Sequence, residues 1–139
     1  FGGRKRERDF DMNASMLVAS GKFRDVLEGL EPGMHQFVPF EATWKDGSSA
    51  GELYWFFPGH RIDGMDRAAT THIYEEDIKK FKTMNGNQYV ANLTQIGDAH
   101  IYMDAAARWR FPRVSAVFKK AMDEAGAKGI VYYEMPVVR

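Results

Sequence analysis

Cysteine is absent from this 139-residue chain, and so is any excess of charge. Without cysteine there can be neither disulfide bonds nor thiolate metal sites, which is consistent with a reducing compartment such as the cytoplasm. Lysine plus arginine equals aspartate plus glutamate at 19 each, so no overall field attracts nucleic acid or an anionic membrane surface. The sequence therefore predicts a protein with no nucleic-acid partner and no membrane partner.

Long apolar runs are also missing from the chain. No stretch approaches the ~20 apolar residues that a transmembrane helix needs. No charged start followed by an apolar segment indicates a secretion signal. We therefore expect a cytoplasmic protein.

The chain does contain enough apolar material for a core. Hydrophobic residues make up 45% of the sequence and aromatic residues 14%, and a chain of this length buries roughly two-thirds of its unfolded surface. We expect a single α+β domain over residues 13–139. Residues 1–12, which begin FGGRKRERDF, are predicted to be a basic tail or the remainder of a longer protein.

Two stretches, residues 16–40 and 112–136, resemble each other and organise the chain. In each, a short apolar run ends at a serine, Ser20 or Ser115, whose hydroxyl can cap the first turn of a helix. A phenylalanine follows three residues later in both stretches and begins an apolar stripe; a glycine then ends the helix before an aromatic strand. Internal duplication and convergence on a common local structure both explain the match.

Residues 34–44 and 50–57 are predicted to be strands joined by an Asp-Gly hairpin turn. Pro39 cannot donate to a strand ladder, so it places the first strand at a sheet edge or a bulge. Residues 75–81 begin with three acidic residues, as a helix N-terminus favours, and residues 88–94 are predicted to be a strand. The predicted fold class is α+β, with a largely antiparallel sheet and about three helices, two of them in similar strand–helix–strand units at the chain ends.

Side chains with catalytic chemistry are few. None of the four histidines has a recognised metal-binding spacing, and no nucleophile or phosphate-binding motif is present. The best cluster is His60 with Arg61, Asp63 and Asp66 in a long irregular loop, and solvated loop charges explain it more simply than a site does. We therefore predict no catalytic residue, no metal and no cofactor.

The alternative is a small-ligand-binding protein or enzyme that uses residues 60–66. It predicts a concave pocket that collects His60, Asp63 and another histidine.

Aromatic residues are concentrated on the predicted hairpin. Alternation along its second strand places Tyr54 and Phe56 on the opposite face from Trp55. If Tyr54 and Phe56 face solvent, they form a partner-binding surface together with Trp44, because large aromatic side chains are the usual anchors of protein interfaces. The alternative is that helices or a second layer cover both faces.

Four parts of the sequence, taken together, resemble a known family. They are LVASGKFRDVLEGLEPGMHQFVPFE, the turn KDG with the aromatic strand after it, HRIDGMD, and the closing HIYMDAAARWRFPRVSAVFKKAMDEAGAKGIVYYEMP. From about Ser15 onward the chain is similar to immunity protein family eleven of bacterial polymorphic toxin systems, formerly described as a domain of unknown function.

This resemblance implies a small cytoplasmic bacterial protein, not an enzyme, that binds and neutralises a cognate toxin by protein–protein contact. No catalytic residues come with the family. The residues that we expect to contact the partner are those of the aromatic surface and the loop: Trp44, Tyr54, Phe56, His60, Arg61, Asp63 and Asp66. A homodimer formed through the edge strand that Pro39 only partly blocks is a further alternative.

Overall fold

The computed structural model describes residues 7–82, 88–107 and 111–139. Within them lie three helices: α1 (Gly21–Leu30), α2 (Leu93–Ile96) and α3 (Ala116–Glu124). The strands, in chain order, are β1 (Phe10–Asn13), β2 (Met16–Ala19), β3 (Gln36–Thr43), β4 (Ser49–Phe57), β5 (Arg61–Ile62), β6 (Tyr74–Glu75), β7 (Lys80–Phe81), β8 (Ala91–Asn92), β9 (Ile101–Asp104), β10 (Arg113–Val114) and β11 (Val137–Val138). The fold is therefore α+β, as the sequence predicts.

The main sheet has four antiparallel strands in the order β1-β2-β4-β3. β3 and β4 form the predicted hairpin, and Gly47 in its turn has a φ of 83°, a conformation that glycine adopts readily. Pro39 lies in β3 at the edge of this sheet, where its missing N–H donor is tolerated. The remaining pairs in the described residues form small sheets, β10-β9-β5, β11-β8 and β6-β7.

The helices at the two chain ends begin at the predicted serine caps. Ser20 Oγ accepts a hydrogen bond from the Phe23 N–H at 3.1 Å, and Ser115 Oγ accepts one from the Phe118 N–H at 3.0 Å. Each bond satisfies a donor that the first helical turn leaves unpaired. Both cap predictions are confirmed.

The two serine-capped units meet through their phenylalanines. The rings of Phe23 and Phe118 lie 5.3 Å apart in a T-shaped contact, and Phe23 makes the same contact with Phe56 of β4. The main core therefore lies between α1, α3 and one face of the four-stranded sheet. Its other buried members are Leu17, Ala19, Leu27, Ile101 and Met122.

Asp9 joins the start of the sheet to both units. Its carboxylate accepts from the Ser20 hydroxyl at 2.6 Å and from the Lys128 N–H at 2.6 Å, and β1, which follows it, packs against the main core. Part of the predicted tail therefore lies in β1, whose apolar side chains Phe10 and Met12 pack against the main core. The basic run at residues 4–6 lies outside the described residues.

The helix predicted over residues 75–81 is wrong. β6 and β7 form a hairpin there, with Lys79 at a φ of 54° in its turn. Tyr74 and Phe81 lie opposite each other with their rings 5.2 Å apart, and Phe81 is fully buried in a second core cluster with Met65. A helix of seven residues is marginal on its own, whereas the hairpin buries an aromatic cross-strand pair.

Two further elements differ in position from the prediction. α2 takes part of the segment predicted as a strand over residues 88–94, because Asn92 caps it by accepting from the Gln95 N–H at 3.1 Å. Residues 130–136, where the second unit was expected to continue as an aromatic strand, form no strand, and β11 follows them and pairs in parallel with β8.

Candidate functional site

Tyr54 and Phe56, the two β4 residues expected to be partner anchors, lie on the buried face of the sheet. Phe56 is 2% exposed and Tyr54 is 7% exposed. Both lie on the face that α1 and α3 cover, where Phe56 contacts Phe23 and stacks on Phe37 with ring centroids 5.0 Å apart. The condition that Tyr54 and Phe56 face solvent is therefore not met, because the apolar stripes of the helices pack on this face.

Polar partners also enclose the hydroxyl group of Tyr54. Arg24 of α1 donates a hydrogen bond to it, and the guanidinium carbon lies 4.6 Å from the centre of the tyrosine ring. The hydroxyl in turn donates to Glu52 Oε1 at 2.7 Å. Tyr54 thus ties α1 to the sheet and is not available as an anchor.

The opposite face of the same sheet, here called the outer face, carries apolar side chains that stay half-buried or exposed: Met16, Val38, Phe40, Leu53, Trp55 and Phe57. Trp55 stacks on Phe40 with ring centroids 4.4 Å apart and an interplanar angle of 17°. Phe57 is 41% exposed and Val38 is 38% exposed. This face therefore combines a fixed aromatic pair with solvent-accessible apolar surface.

Trp44 is half-buried at the base of the turn between β3 and β4. Its N–H donates to the Ser48 carbonyl at 2.8 Å, and its own carbonyl accepts from the Gly47 N–H at 2.9 Å. The turn thus holds its backbone in place. Its role in partner binding stays a prediction.

Residues 60–66 do not form one cluster. Asp63 accepts from the Arg67 guanidinium at 2.8 Å, and Asp66 accepts from the side chain of Asn92 at 2.9 Å. These contacts fix the loop to its own surroundings. Arg61 begins β5 and its side chain is exposed.

His60 turns instead toward Glu31, the residue that ends α1. Glu31 Oε1 lies 3.2 Å from His60 Nε2, and Oε2 lies 2.6 Å from His35 Nε2. Oε1 also accepts from the backbone N–H of His100 at 2.6 Å. One carboxylate therefore joins the end of α1 to the segments that lead into β3, β5 and β9, and we call this group the Glu31 cluster.

The pKa of Glu31 is lowered from its usual value. Burial acts in the other direction, since the side chain is only 8% exposed. The hydrogen bonds from the His100 N–H and the His35 ring outweigh that effect, because they favour the charged carboxylate. Glu31 is therefore an anion that is satisfied within the fold.

The Glu31 cluster has the residue types of a metal site, and the ligand atoms of Glu31, His35 and His60 lie within 4.8 Å of one another. The hydrogen bonds of His35 do not fit that role. Its Nδ1 accepts from the Gly59 N–H at 2.9 Å, so the neutral ring carries its proton on Nε2 and donates it to Glu31. A metal ion binds a ring nitrogen that carries no proton, and the other nitrogen of a ligating histidine normally donates a hydrogen bond. His35 has the reverse arrangement, since Nε2 carries the proton and Nδ1 accepts. The cluster is therefore a hydrogen-bonded joint.

An open cavity of about 500 Å³ lies beside the Glu31 cluster, lined by Glu31, Pro32, Met34, His60, Ile62, Ile96, Asp98 and Ala99. The ligand-pocket alternative requires His60, Asp63 and another histidine to converge. The fold does bring His60 and His35 together, but the His35 side chain is fully buried beneath Glu31, and Asp63 pairs with Arg67. On the walls of the cavity, the Glu31 carboxylate and the His60 ring already pair with each other.

The other two histidines lie elsewhere. His100 Nδ1 is 2.8 Å from Ser115 Oγ, which also caps α3. His72 is buried and stacks on Tyr89 with ring centroids 3.8 Å apart. Neither ring lines the cavity beside Glu31.

Sequence reasoning missed Glu31 and did not identify which face of β4 the helices cover. One signal was available for Glu31, because a negative charge at a helix C-terminus is unfavourable to the helix dipole and needs compensating partners. No comparable signal existed for Trp55 and Phe57, since both faces of β4 are aromatic.

These features define a class of protein, namely an α+β chain with an exposed apolar sheet face and an internally satisfied polar cluster.

Within the described residues, no helix has the length and apolar character needed to cross a membrane. A comparison with curated proteins finds no match. The family model described as Immunity protein family (Imm11) matches residues 3–137. The chain belongs to this family, which confirms the resemblance predicted from the sequence.

Proposed function

We propose that this chain is an immunity protein that binds a cognate bacterial toxin in the cytoplasm and neutralises it by protein–protein contact, without catalysing a reaction. The observation that carries the proposal is the family match over residues 3–137. The internal hydrogen bonding of the Glu31 cluster supports it, since the best polar group is used to hold the fold together.

The outer face is the surface that we assign to the toxin. Protein interfaces of standard size bury ~800 Å² per partner and depend on a few aromatic anchors. Trp55 and Phe57 take the place of Tyr54 and Phe56 as those anchors, because they lie on the accessible side of β4. The stacking of Trp55 on Phe40 fixes one anchor before binding, which lowers the entropy lost when a partner docks.

The Glu31 cluster helps to hold the strands of the outer face in position. It fixes the segments that lead into β3 and β5 relative to α1, and β3 supplies half of the hairpin that carries the outer face. A rigid scaffold of this kind presents a preformed surface, so we expect little rearrangement on binding.

The proposal is tested by identifying the partner and measuring protection. The chain is used as bait in its native lysate, the captured protein is identified by mass, and the pair is co-expressed while growth is followed. We expect the wild-type chain to restore growth, and Trp55→Ala to protect less while staying folded. Lys120→Ala, on an exposed part of α3, is the matched control and should protect fully.

The outcomes separate the function from the surface. Failure of the wild-type chain to restore growth would contradict the proposed function. Full protection by Trp55→Ala would contradict only the assignment of the outer face. Turnover of a small molecule that disappears when His60 is replaced by alanine would instead show an enzyme.

A further inference from the structure

A groove of about 330 Å³ runs between the four-stranded sheet and the segment that contains β5, β7 and β9. Its apolar walls include Met16, Phe57, Pro58 and Met103. Met16 is 38% exposed and Phe57 is 41% exposed, so these walls are open to solvent. A space of this size can hold one large apolar side chain of a partner.

Two cationic side chains, Arg61 and Lys80, also line this groove. Among the described residues, neither has an aspartate or glutamate oxygen within 4.0 Å, whereas Lys119 and Lys128 lie 2.6 and 3.0 Å from carboxylates. The Lys80 ammonium group has a long contact of 3.4 Å with the Ala105 carbonyl. Within the part of the chain that the structure describes, the groove therefore presents two positive charges without a carboxylate at salt-bridge distance.

One carboxylate, Asp104, also lines this groove. It is 6% exposed and accepts from the N–H groups of Gly64, Ala106 and Ala107 at 3.1, 2.8 and 2.8 Å. These bonds hold Asp104 in a structural role at the turn after β9. The groove thus has apolar walls, two cationic side chains and one carboxylate, and that carboxylate is already hydrogen-bonded.

The groove is continuous with the outer face. Met16 and Phe57 belong to both surfaces, because they line the groove and adjoin the paired residues Leu17 and Phe56 at the ends of β2 and β4. A protein that covers the outer face therefore reaches Arg61 and Lys80 at its rim. Charges at an interface rim mainly set association rate and partner choice.

We infer that this groove receives an apolar side chain of the toxin whose neighbouring aspartate or glutamate binds Arg61 and Lys80. The inference rests on the proposed function and names the chemistry of the partner segment. A planar guanidinium is well suited to a carboxylate, and the apolar walls favour a side chain over a bare anion.

The first experiment needs no toxin. The probes are the peptides acetyl-Leu-Asp-Leu-amide and acetyl-Leu-Asn-Leu-amide, which differ only in the charge of the central side chain, and binding is followed by amide chemical shifts of β4 and β5. We expect the aspartate peptide to bind at least about threefold more tightly, with the difference lost in Arg61→Gln. Equal binding of the two peptides, or a preference that Arg61→Gln leaves intact, overturns the inference.

The second experiment uses the captured toxin with the full chain. The double variant Arg61→Glu, Lys80→Glu should weaken toxin binding about tenfold or more, mainly through the association rate. Lys120→Glu on α3 is the control for charge reversal and should bind as the wild type does. The milder variant Arg61→Gln, Lys80→Gln is measured as well. If the glutamate variant does not fold, this variant still shows whether the two charges contribute to binding.

These results distinguish the two proposals. If both charge variants bind the toxin as tightly as the control, the groove is not the contact and the immunity function still holds. If the wild-type chain binds no toxin, the proposed function fails, and the peptide comparison alone decides whether the groove recognises an acidic segment.

Discussion

Each face of β4 carries two aromatic side chains, and the two pairs differ in exposure. Tyr54 and Phe56 are buried under the helices, while Trp55 is half-buried and Phe57 is 41% exposed on the outer face. Neighbouring residues of a strand point to opposite sides, so the difference depends only on which side α1 and α3 occupy. One strand can thus supply the core and a binding surface, and the two contributions should be separable by mutation.

The largest effect is expected on the buried face. Phe56→Ala should lower the free energy of unfolding by about 3–5 kcal/mol, because it removes a ring that contacts Phe23 and Phe37 and leaves a cavity. Urea denaturation followed by circular dichroism measures the change. The control Phe57→Ala, one residue further along, should change stability by less than about 1 kcal/mol. Equal losses in the two variants would show that the faces are assigned wrongly.

The next largest effect is expected at Glu31, which holds His35 against the buried face. The ring of His35 contacts Phe56 with centroids 5.7 Å apart. Glu31→Gln should destabilise the fold by about 1–3 kcal/mol at neutral pH, because it removes a buried charged acceptor from three donors. The folded pKa of Glu31 is lowered from 4.5. Its contribution is therefore present above that value and is lost as the pH falls through the folded pKa.

Urea denaturation across a pH series measures this contribution. The difference between wild type and Glu31→Gln should shrink as the solution is acidified below 4.5. Glu124→Gln, exposed on α3, controls for the loss of one negative charge. A difference that stays constant with pH would mean that Glu31 does not act through its ionised form.

A smaller effect compares the two serine caps that position the helices on the buried face. Ser115→Ala should cost about 1 kcal/mol, as is usual for the loss of an N-cap. Both serine hydroxyls have a second partner, the Asp9 carboxylate for Ser20 and the His100 ring for Ser115. Ser20→Ala should cost more, because a hydrogen bond to a carboxylate is stronger than one between neutral groups. Thermal unfolding of both variants gives the comparison. If Ser115→Ala is the more damaging of the two, the Asp9 contact contributes less than the geometry indicates.

The features that the sequence predicts well are local. The caps at Ser20 and Ser115 depend on residues within one helical turn, and the hairpin depends on its Asp-Gly turn. The alternation of β4 was predicted, but the face that it buries was not, because that depends on distant helices. Glu31 was missed for the same reason, since one of its donors, the His100 N–H, is 69 positions away.

The helix predicted over residues 75–81 shows the opposite error, in which a local signal is overruled by packing. The acidic start of that segment favours a helix N-terminus. Burial of Phe81 against Tyr74 favours the hairpin, because the paired rings join a core cluster that a short helix would leave incomplete. Charge patterns at the surface contribute a few tenths of a kcal/mol, about an order of magnitude less than burying a phenylalanine.

The smallest effect on stability should accompany a large effect on binding. Phe57→Ala leaves the core intact, since the side chain is 41% exposed, but it removes an anchor of the outer face and a wall of the groove. We expect affinity for the captured toxin to fall about tenfold or more, as hot-spot truncations do. Calorimetry of binding and urea denaturation of the same preparation measure both quantities. Phe56→Ala should damage stability first and binding only as a consequence, so a Phe57→Ala variant that is stable and binds fully would mean that the toxin contacts a different surface.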